Sequence, residues 1–522
     1  MKKALLFFFM LMCINGYAQN QRPQVSNIRI NVLQRTNELE LLYDLFDAEN
    51  DTMEVFLTIK LNTSSIRPRY VNTSNASGNL GKSQTSGVNK KIIWGFESLV
   101  NNESIRIMIN ADDYKTDLSV QELLVQVDTN RMKADMDTLA GVRHYLQSPA
   151  RLQKMKDSLV NRFNAAGLEL EVQSFQYQSY SAQNFMGTHY GKGQSADCII
   201  IDGHYDGVSA GPAADDNLSA MVGVMEAARI LSKYEFKRSL RFIGFDLEEL
   251  GLLGSKEYVK NGRPVGQNIK GVLNFEMIGY YSEQTGSQKL PAGFNQLFPT
   301  AYAEVVADSF RGNFITNVGN VASSDLVDQF ISSSNTHVPD LRVVSVKAPG
   351  TSTIAPDLRR SDHASFWDAG LPAVMLTDGA NFRNKNYHTA LDVPDSLNFA
   401  FIEKVVKATM ATAIEMAVFS HSGEAFADTI VPSIAIGINK ASNKLELKLS
   451  PNPANTLAKV EWPAEIQARE VQVYDVKGAL VYCAEVRGQE HYIFTEHFAP
   501  GTYVLKLLSE GAFISESLVV SR

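Results

Sequence analysis

Polar residues gather in five short motifs between residues 202 and 392. In chain order they are DGHYDG, with His204 and Asp206; GPAADDNLSA, with Asp215 and Asp216; DLEELGLLGS, with Glu248 and Glu249; NFEMIG, with Glu276; and YHTALD, with Tyr387 and His388. Two imidazoles and three or more carboxylates, with no cysteine among them, are the donor chemistry of a hydrolytic zinc site. Two ions about 3.5–4 Å apart need one carboxylate to bridge them, and Asp216, expected at a helix start, is rigid enough for that. In a tight loop the adjacent Glu248 and Glu249 can divide the work, one binding metal and the other free as a base. Asp206, two residues past His204, can accept the other ring N–H and fix the tautomer.

The elements that must position these groups are legible around them. Brief apolar runs, CIII (198–201), LRFIGF (240–245), GVLNF (271–275) and PAVML (372–376), each end just before reactive residues. Helical patterns alternate with them. One carries Leu152, Met155, Leu159 and Phe163 at helical spacing, with Gly167 suited to the C′ position; another runs from Asn217 to Tyr234. The alternation predicts an α/β domain over 120–421, a mostly parallel sheet with helices on both faces. In such sheets ligands bind beyond the carboxyl ends of the strands, and four strand ends deliver His and carboxylates to that edge.

In that order, HYD, ADDN, the EE of LEELGLLGS, NFEMIG and YHT resemble the co-catalytic di-zinc aminopeptidases of metallopeptidase family twenty-eight, clan MH. The resemblance covers roughly Val120 to Ser420 and implies the zinc exopeptidase fold. It implies one zinc held by His204, Asp216 and Glu276, and a second held by Asp216, Glu249 and His388, with Asp216 bridging. It also implies Glu248 as general base and Tyr387 as an oxyanion contact. The family places Asp where this chain has Glu276, a ligand one methylene longer whose strand end must sit further back. Asp362-His363 in SDHASFW resembles a segment on the rim of family members, a candidate for outer-shell or substrate contact. The implied activity is removal of N-terminal residues from peptides. Alternatives are a carboxypeptidase or a one-zinc glutaminyl cyclase of the same fold, and, from another class, a secreted binding or adhesion protein with a dead site.

Either side of this domain the pattern changes. The first 18 residues, with Lys2 and Lys3, an apolar stretch to Ile14 and Gly16-Tyr17-Ala18, read as a secretory signal peptide that takes Cys13 with it. Residues 22–115 hold short β-branched and aromatic runs separated by turns such as NTSNASGNLGKSQTSG, the pattern of an Ig-like β-sandwich. Residues 422–443 read as a linker. Residues 444–522 return to β character; SPNPA (450–454), YDVKGALVY (474–482) and APGTYVLKL (499–507) resemble the C-terminal sorting domain of the type IX secretion system. That resemblance implies the secretion machinery as a partner and export through the periplasm of a diderm bacterium to the surface or medium.

Composition narrows the rest. The 522 residues carry 49 Lys+Arg against 57 Asp+Glu, a net charge of −8 with no basic run, which argues against nucleic acid as a partner. No apolar run is long enough to span a bilayer. The two cysteines left after export, Cys198 and Cys483, exclude a disulfide framework and are expected to be free and buried. His144, His189, His337, His421, His491 and His497 match no motif and are expected to be structural or superficial.

Overall fold

A computed structural model describes residues 20–33, 36–61, 70–96, 104–351, 353–430, 447–464, 466, 468–476, 479–509 and 512–522. The segment read as a signal peptide lies outside the described residues. The chain divides into two compact units, 1–431 and 432–522.

The first unit is built on an eight-stranded sheet. By residue number its strands run, from one edge to the other, 343–348, 315–320, 373–377, 268–276, 194–204, 238–245, 180–189 and 169–177. The four apolar runs that precede reactive motifs are thus the four central neighbours. Those four are mutually parallel, so their carboxyl ends share one edge. The sheet as a whole is mixed: the 343–348 and 315–320 pair is parallel, but three pairings are antiparallel.

Buried apolar side chains explain the layers. Ile199, Ile201, Phe242, Leu273 and Phe275 face one core, with Leu159 and Phe163 of helix Pro149–Ala165 and most of helices Ala220–Leu231 and Phe399–Ala417. Cys198, Ile200, Ile243, Val272 and Met375 face the other, with Phe366 and Trp367. Strands buried on both faces read as continuous apolar runs because neither side meets water. Contact is close enough that a Cβ on Gly187 would lie 2.9 Å from the Phe163 ring. Helix Pro149–Ala165 ends as its sequence requires, with Gly167 at φ +70°.

The N-terminal module is a two-sheet sandwich, with strand orders 24–33, 38–46, 87–95, 77–78 and 422–430, 104–112, 53–61, 81–84. The strand 422–430 corrects the expected linker. Ser422–Ile430 pairs antiparallel along all of Ser104–Asp112, so the chain leaves the sandwich, builds the α/β domain and returns to complete it. The alternation of the segment (Glu424, Phe426 and Asp428 exposed or half-exposed on one side) is that of a strand with one wet face. Residues 431–443 of the expected linker lie outside the described residues.

The second unit has two antiparallel sheets, ordered 448–450, 457–461, 490–494 and 480–485, 468–474, 501–509, 512–520, around Val460, Val471, Ile493, Leu505 and Leu518. Both cysteines are free. Cys198 is buried and its thiol is pushed up to about 12 by that burial, but Cys483 is exposed, contrary to expectation, because it lies on the outward face of its strand.

Candidate metal centre

His204 and Glu276 are the last residues of the two neighbouring strands 194–204 and 268–276. Glu248 and Glu249 lie in the loop after Phe245, the end of the next strand. Asp216 comes from a turn that precedes helix Ala220–Leu231. The expected helix start at Asn217 is three residues early: Asp216 and Asn217 have non-helical backbone angles and their shared peptide is cis. His388 lies in a loop with φ +58°. Three strand ends and two loops therefore meet at one point of the sheet edge.

The eight residues singled out in the sequence come together there. The His204 Nε2 lies 3.3 Å from an Asp216 oxygen and 3.5 Å from Glu276 Oε2. The His388 Nε2 lies 2.9 Å from the other Asp216 oxygen and 3.2 Å from Glu249 Oε2. Two donors each about 2.1 Å from one tetrahedral ion are about 3.4 Å apart, so both sets have ligand spacing. They share Asp216, one oxygen to each set. The fit extends to hydrogen bonding. His204 Nε2, Asp216 Oδ1, Glu249 Oε1 and His388 Nε2 are all buried without a hydrogen-bond partner, a costly state unless something else satisfies them.

Electrostatics point the same way. Burial opposes charge on His204, yet Glu248, Asp206, Asp216 and Glu276 push its pKa well above the ordinary range. His388 is likewise pushed up to about 10, against burial, by Asp216 and Glu249. Asp216 is held below the usual carboxylate range by both imidazoles although burial opposes it. Burial and then Asp216 raise Glu249 to about 7. Carboxylates crowded at this density demand positive charge, and a divalent cation supplies it while displacing the imidazole protons.

Glu248 stands beside the first set rather than in either. Its Oε2 is 3.7 Å from His204 Nε2, and burial raises its pKa well above the ordinary value. Asp206 faces His204 Nδ1 at 3.3 Å and accepts the backbone N–H groups of Glu248 (3.0 Å) and Glu249 (3.3 Å), so it sets the loop that carries both glutamates beside the ring. Glu276, despite its extra methylene, is held by Ser361 Oγ (2.8 Å) and Asn217 Nδ2 (3.3 Å). Tyr387 stacks on His388 with ring centroids 3.8 Å apart, and its hydroxyl accepts from Arg360 at 2.8 Å.

Asp362-His363 is not on the rim. Both residues are fully buried. His363 bonds the Leu358 carbonyl and meets Trp367 edge-on, and burial lowers its pKa to about 4. Asp362 has two unpartnered oxygens, and burial raises it to about 7 against the pull of His204. Of the unmatched histidines, His337 meets Glu415, His189 meets the Tyr234 carbonyl and His421 meets Asp113.

Three residues that sequence reasoning passed over shape the centre. Asp392 accepts the backbone N–H of Asp215 at 2.8 Å and of Asp216 at 3.2 Å. Arg143, fully buried, donates to the carbonyls of Tyr205, Pro212 and Ala213, joining the His204 strand end to the Asp216 turn. Ser361 anchors Glu276. Asp392 lies four residues after His388 in YHTALD and Ser361 opens SDHASFW, both signals open to reading; Arg143 carries no local one. Beside Glu276 opens a cavity of about 70 Å³ lined by Phe294, Phe314, Val318, Leu358 and Met375, with Arg360 also in its lining.

The chain is similar to known proteins. Residues 184–413 match Peptidase family M28, and residues 448–521 match the Secretion system C-terminal sorting domain. A protein of Escherichia coli (strain K12), called uncharacterized protein YfbL, is 33% identical over 219 residues, 40% of this chain and 64% of that one; the chain thus spans less than two thirds of this relative. Leucine aminopeptidase 1 of Pyrenophora tritici-repentis is 26% identical over 320 residues, 56% of this chain and 72% of that one. The crystal structure of the Legionella pneumophila LapA aminopeptidase aligns with 59% of this chain and 76% of its own at 20% identity and a TM-score of 0.44. Motif order, donor geometry and sequence similarity converge on one segment: residues 184–413 are similar to peptidase family M28, and residues 448–521 to the secretion system C-terminal sorting domain.

Proposed function

We propose that the protein is an exported di-zinc aminopeptidase. The observation that carries the reading is the pair of donor sets sharing Asp216, His204–Asp216–Glu276 and Asp216–Glu249–His388, each at ligand spacing. The names of similar curated proteins, leucine aminopeptidase 1 among them, support the N-terminal direction, and the sorting domain supports secretion or surface display by way of the periplasm.

Bound zinc would acidify a water molecule and polarise the scissile carbonyl. The chain's own residues do the rest. Glu248, kept out of both donor sets and buried so that it readily holds a proton, accepts the proton of the attacking water on a carboxylate oxygen and passes it to the departing amine. Asp206 keeps His204 in one orientation through Nδ1. Arg360 donates to the Tyr387 hydroxyl, which leaves that hydroxyl's own proton to donate to the carbonyl oxygen as it gains charge. The apolar cavity beside Glu276 would receive the side chain of the residue released, so peptides with apolar N-termini are the expected substrates.

Incubating the purified enzyme with free and N-acetylated peptides and weighing the products tests this reading. Loss of single N-terminal residues from free peptides, with acetylated copies inert, is expected. A peptide beginning with Gln should lose that Gln. Loss of ammonia alone would make the protein a cyclase, C-terminal trimming a carboxypeptidase, and no change across a broad pool an inactive binding protein.

A further inference from the structure

A second group of carboxylates, far in sequence from the catalytic motifs, lies in the N-terminal sandwich. Asp47 and Asp51 flank the turn between strands 38–46 and 53–61, which belong to opposite sheets; Asp113 directly follows strand 104–112, where the chain departs for the α/β domain. Each offers one oxygen, and the three oxygens lie within 4.8 Å of one another.

The group is not closed by protein donors. Asp47 is only 1% exposed, and its Oδ2 is buried without a partner, as is Oδ2 of Asp51. The other oxygens are engaged: Asp47 Oδ1 accepts the Asp51 N–H at 2.7 Å, Asp51 Oδ1 meets Lys115 Nζ at 2.6 Å, and Asp113 meets His421 Nδ1 at 3.0 Å and Asn20 Nδ2 at 2.6 Å. Lys115 approaches from solvent, with its side chain 55% exposed. One outer ammonium does not satisfy two inner carboxylate oxygens that water cannot reach. A buried carboxylate oxygen without a partner leaves its desolvation penalty unoffset, and a cation held among the three carboxylates would offset it.

The donors are all carboxylate oxygen, which selects a hard cation over zinc. They come from a turn and a strand end, and calcium accepts irregular sets of oxygen donors where magnesium demands near-ideal octahedral geometry. We propose that Asp47, Asp51 and Asp113 bind a calcium ion, a structural site that fastens both sandwich sheets at the point where the chain exits to the α/β domain and, through His421 beside Asp113, where it returns. This proposal is independent of the peptidase reading.

Calorimetric titration of the zinc-loaded full chain with calcium chloride, after dialysis into calcium-free buffer, tests it. One saturable site per chain is expected in addition to the zinc, with a dissociation constant of about 10⁻⁴–10⁻³ M, the range of extracellular modules, and a thermal midpoint that climbs with calcium. Asp51→Asn should weaken binding by about tenfold or more while zinc content and peptide hydrolysis stay at the parent level. Asp47→Asn should do the same, and Asp51→Asn, at the less buried position, keeps the test open if Asp47→Asn does not fold. The proposal is overturned if the parent protein shows no saturable calcium binding up to about 10 mM, if Asp51→Asn leaves the affinity unchanged, or if magnesium binds equally well.

Discussion

Asp216 gives one carboxylate oxygen to each imidazole, and that sharing makes one centre of two donor sets. The neighbouring glutamates differ by a single position and by everything around them. Glu249 lies 3.2 Å from His388 within a donor set, whereas Glu248 lies 3.7 Å from His204 outside both. Glu248→Ala should therefore keep its zinc and lose activity by about 10²–10⁴-fold, while Glu249→Ala should lose metal as well, both read by elemental analysis beside a peptide assay. An emptied metal site in Glu248→Ala would reverse the two roles. Chelation of the parent enzyme should abolish activity and zinc readdition restore it.

Whole elements bring these residues within reach. Four parallel central strands place His204, the Glu248-Glu249 loop, Glu276 and Thr377 at one edge, and two loops close over it. The loops are tied by Asp392, whose carboxylate holds the backbone of Asp215 and Asp216. Asp392→Ala should free the Asp216 turn and lower zinc occupancy with His388 intact, measured as metal content after dialysis; unchanged content would remove Asp392 from this role. The returning strand 422–430 makes a separate prediction. Ending the chain after residue 421 strips strand 104–112 of one of its two partners, leaving it paired with 53–61 alone and its other side as an open edge. That truncation should unfold at lower temperature and aggregate, whereas one ending after residue 443 should behave as a monodisperse enzyme by calorimetry and size-exclusion chromatography.

At the scale of the molecule the two units serve different ends. The unit formed by residues 432–522 has its own core of Val460, Val471, Ile493, Leu505 and Leu518, so its loss leaves the core of the first unit untouched. Deleting residues 444–522 should yield an active enzyme retained in the periplasm, detected by fractionating cells and assaying peptide hydrolysis; normal display or release of the truncated protein would refute the sorting role. Among the described residues no helix is long and apolar enough to cross a membrane.

Donor types, their order and the strands that end beside them could be read along the chain, because a strand buried on both faces must be apolar throughout and a chemical motif must use particular atoms. His204, Asp216, Glu248, Glu249, Glu276 and His388 were legible for that reason. That Ser422–Ile430 is a strand of the N-terminal sandwich emerged from the folded structure alone, because its partner lies about 300 residues earlier and a half-exposed strand with turn-like residues reads locally as a linker. Only it showed Asp362-His363 to be interior and Cys483 to be exposed. It also showed that Arg143 and Ser361 support the centre, since the distant carbonyl or carboxylate that each side chain bonds is not given by its neighbours along the chain. Residue type and order are fixed along the chain; burial and partnership are fixed by what packs against each residue from elsewhere.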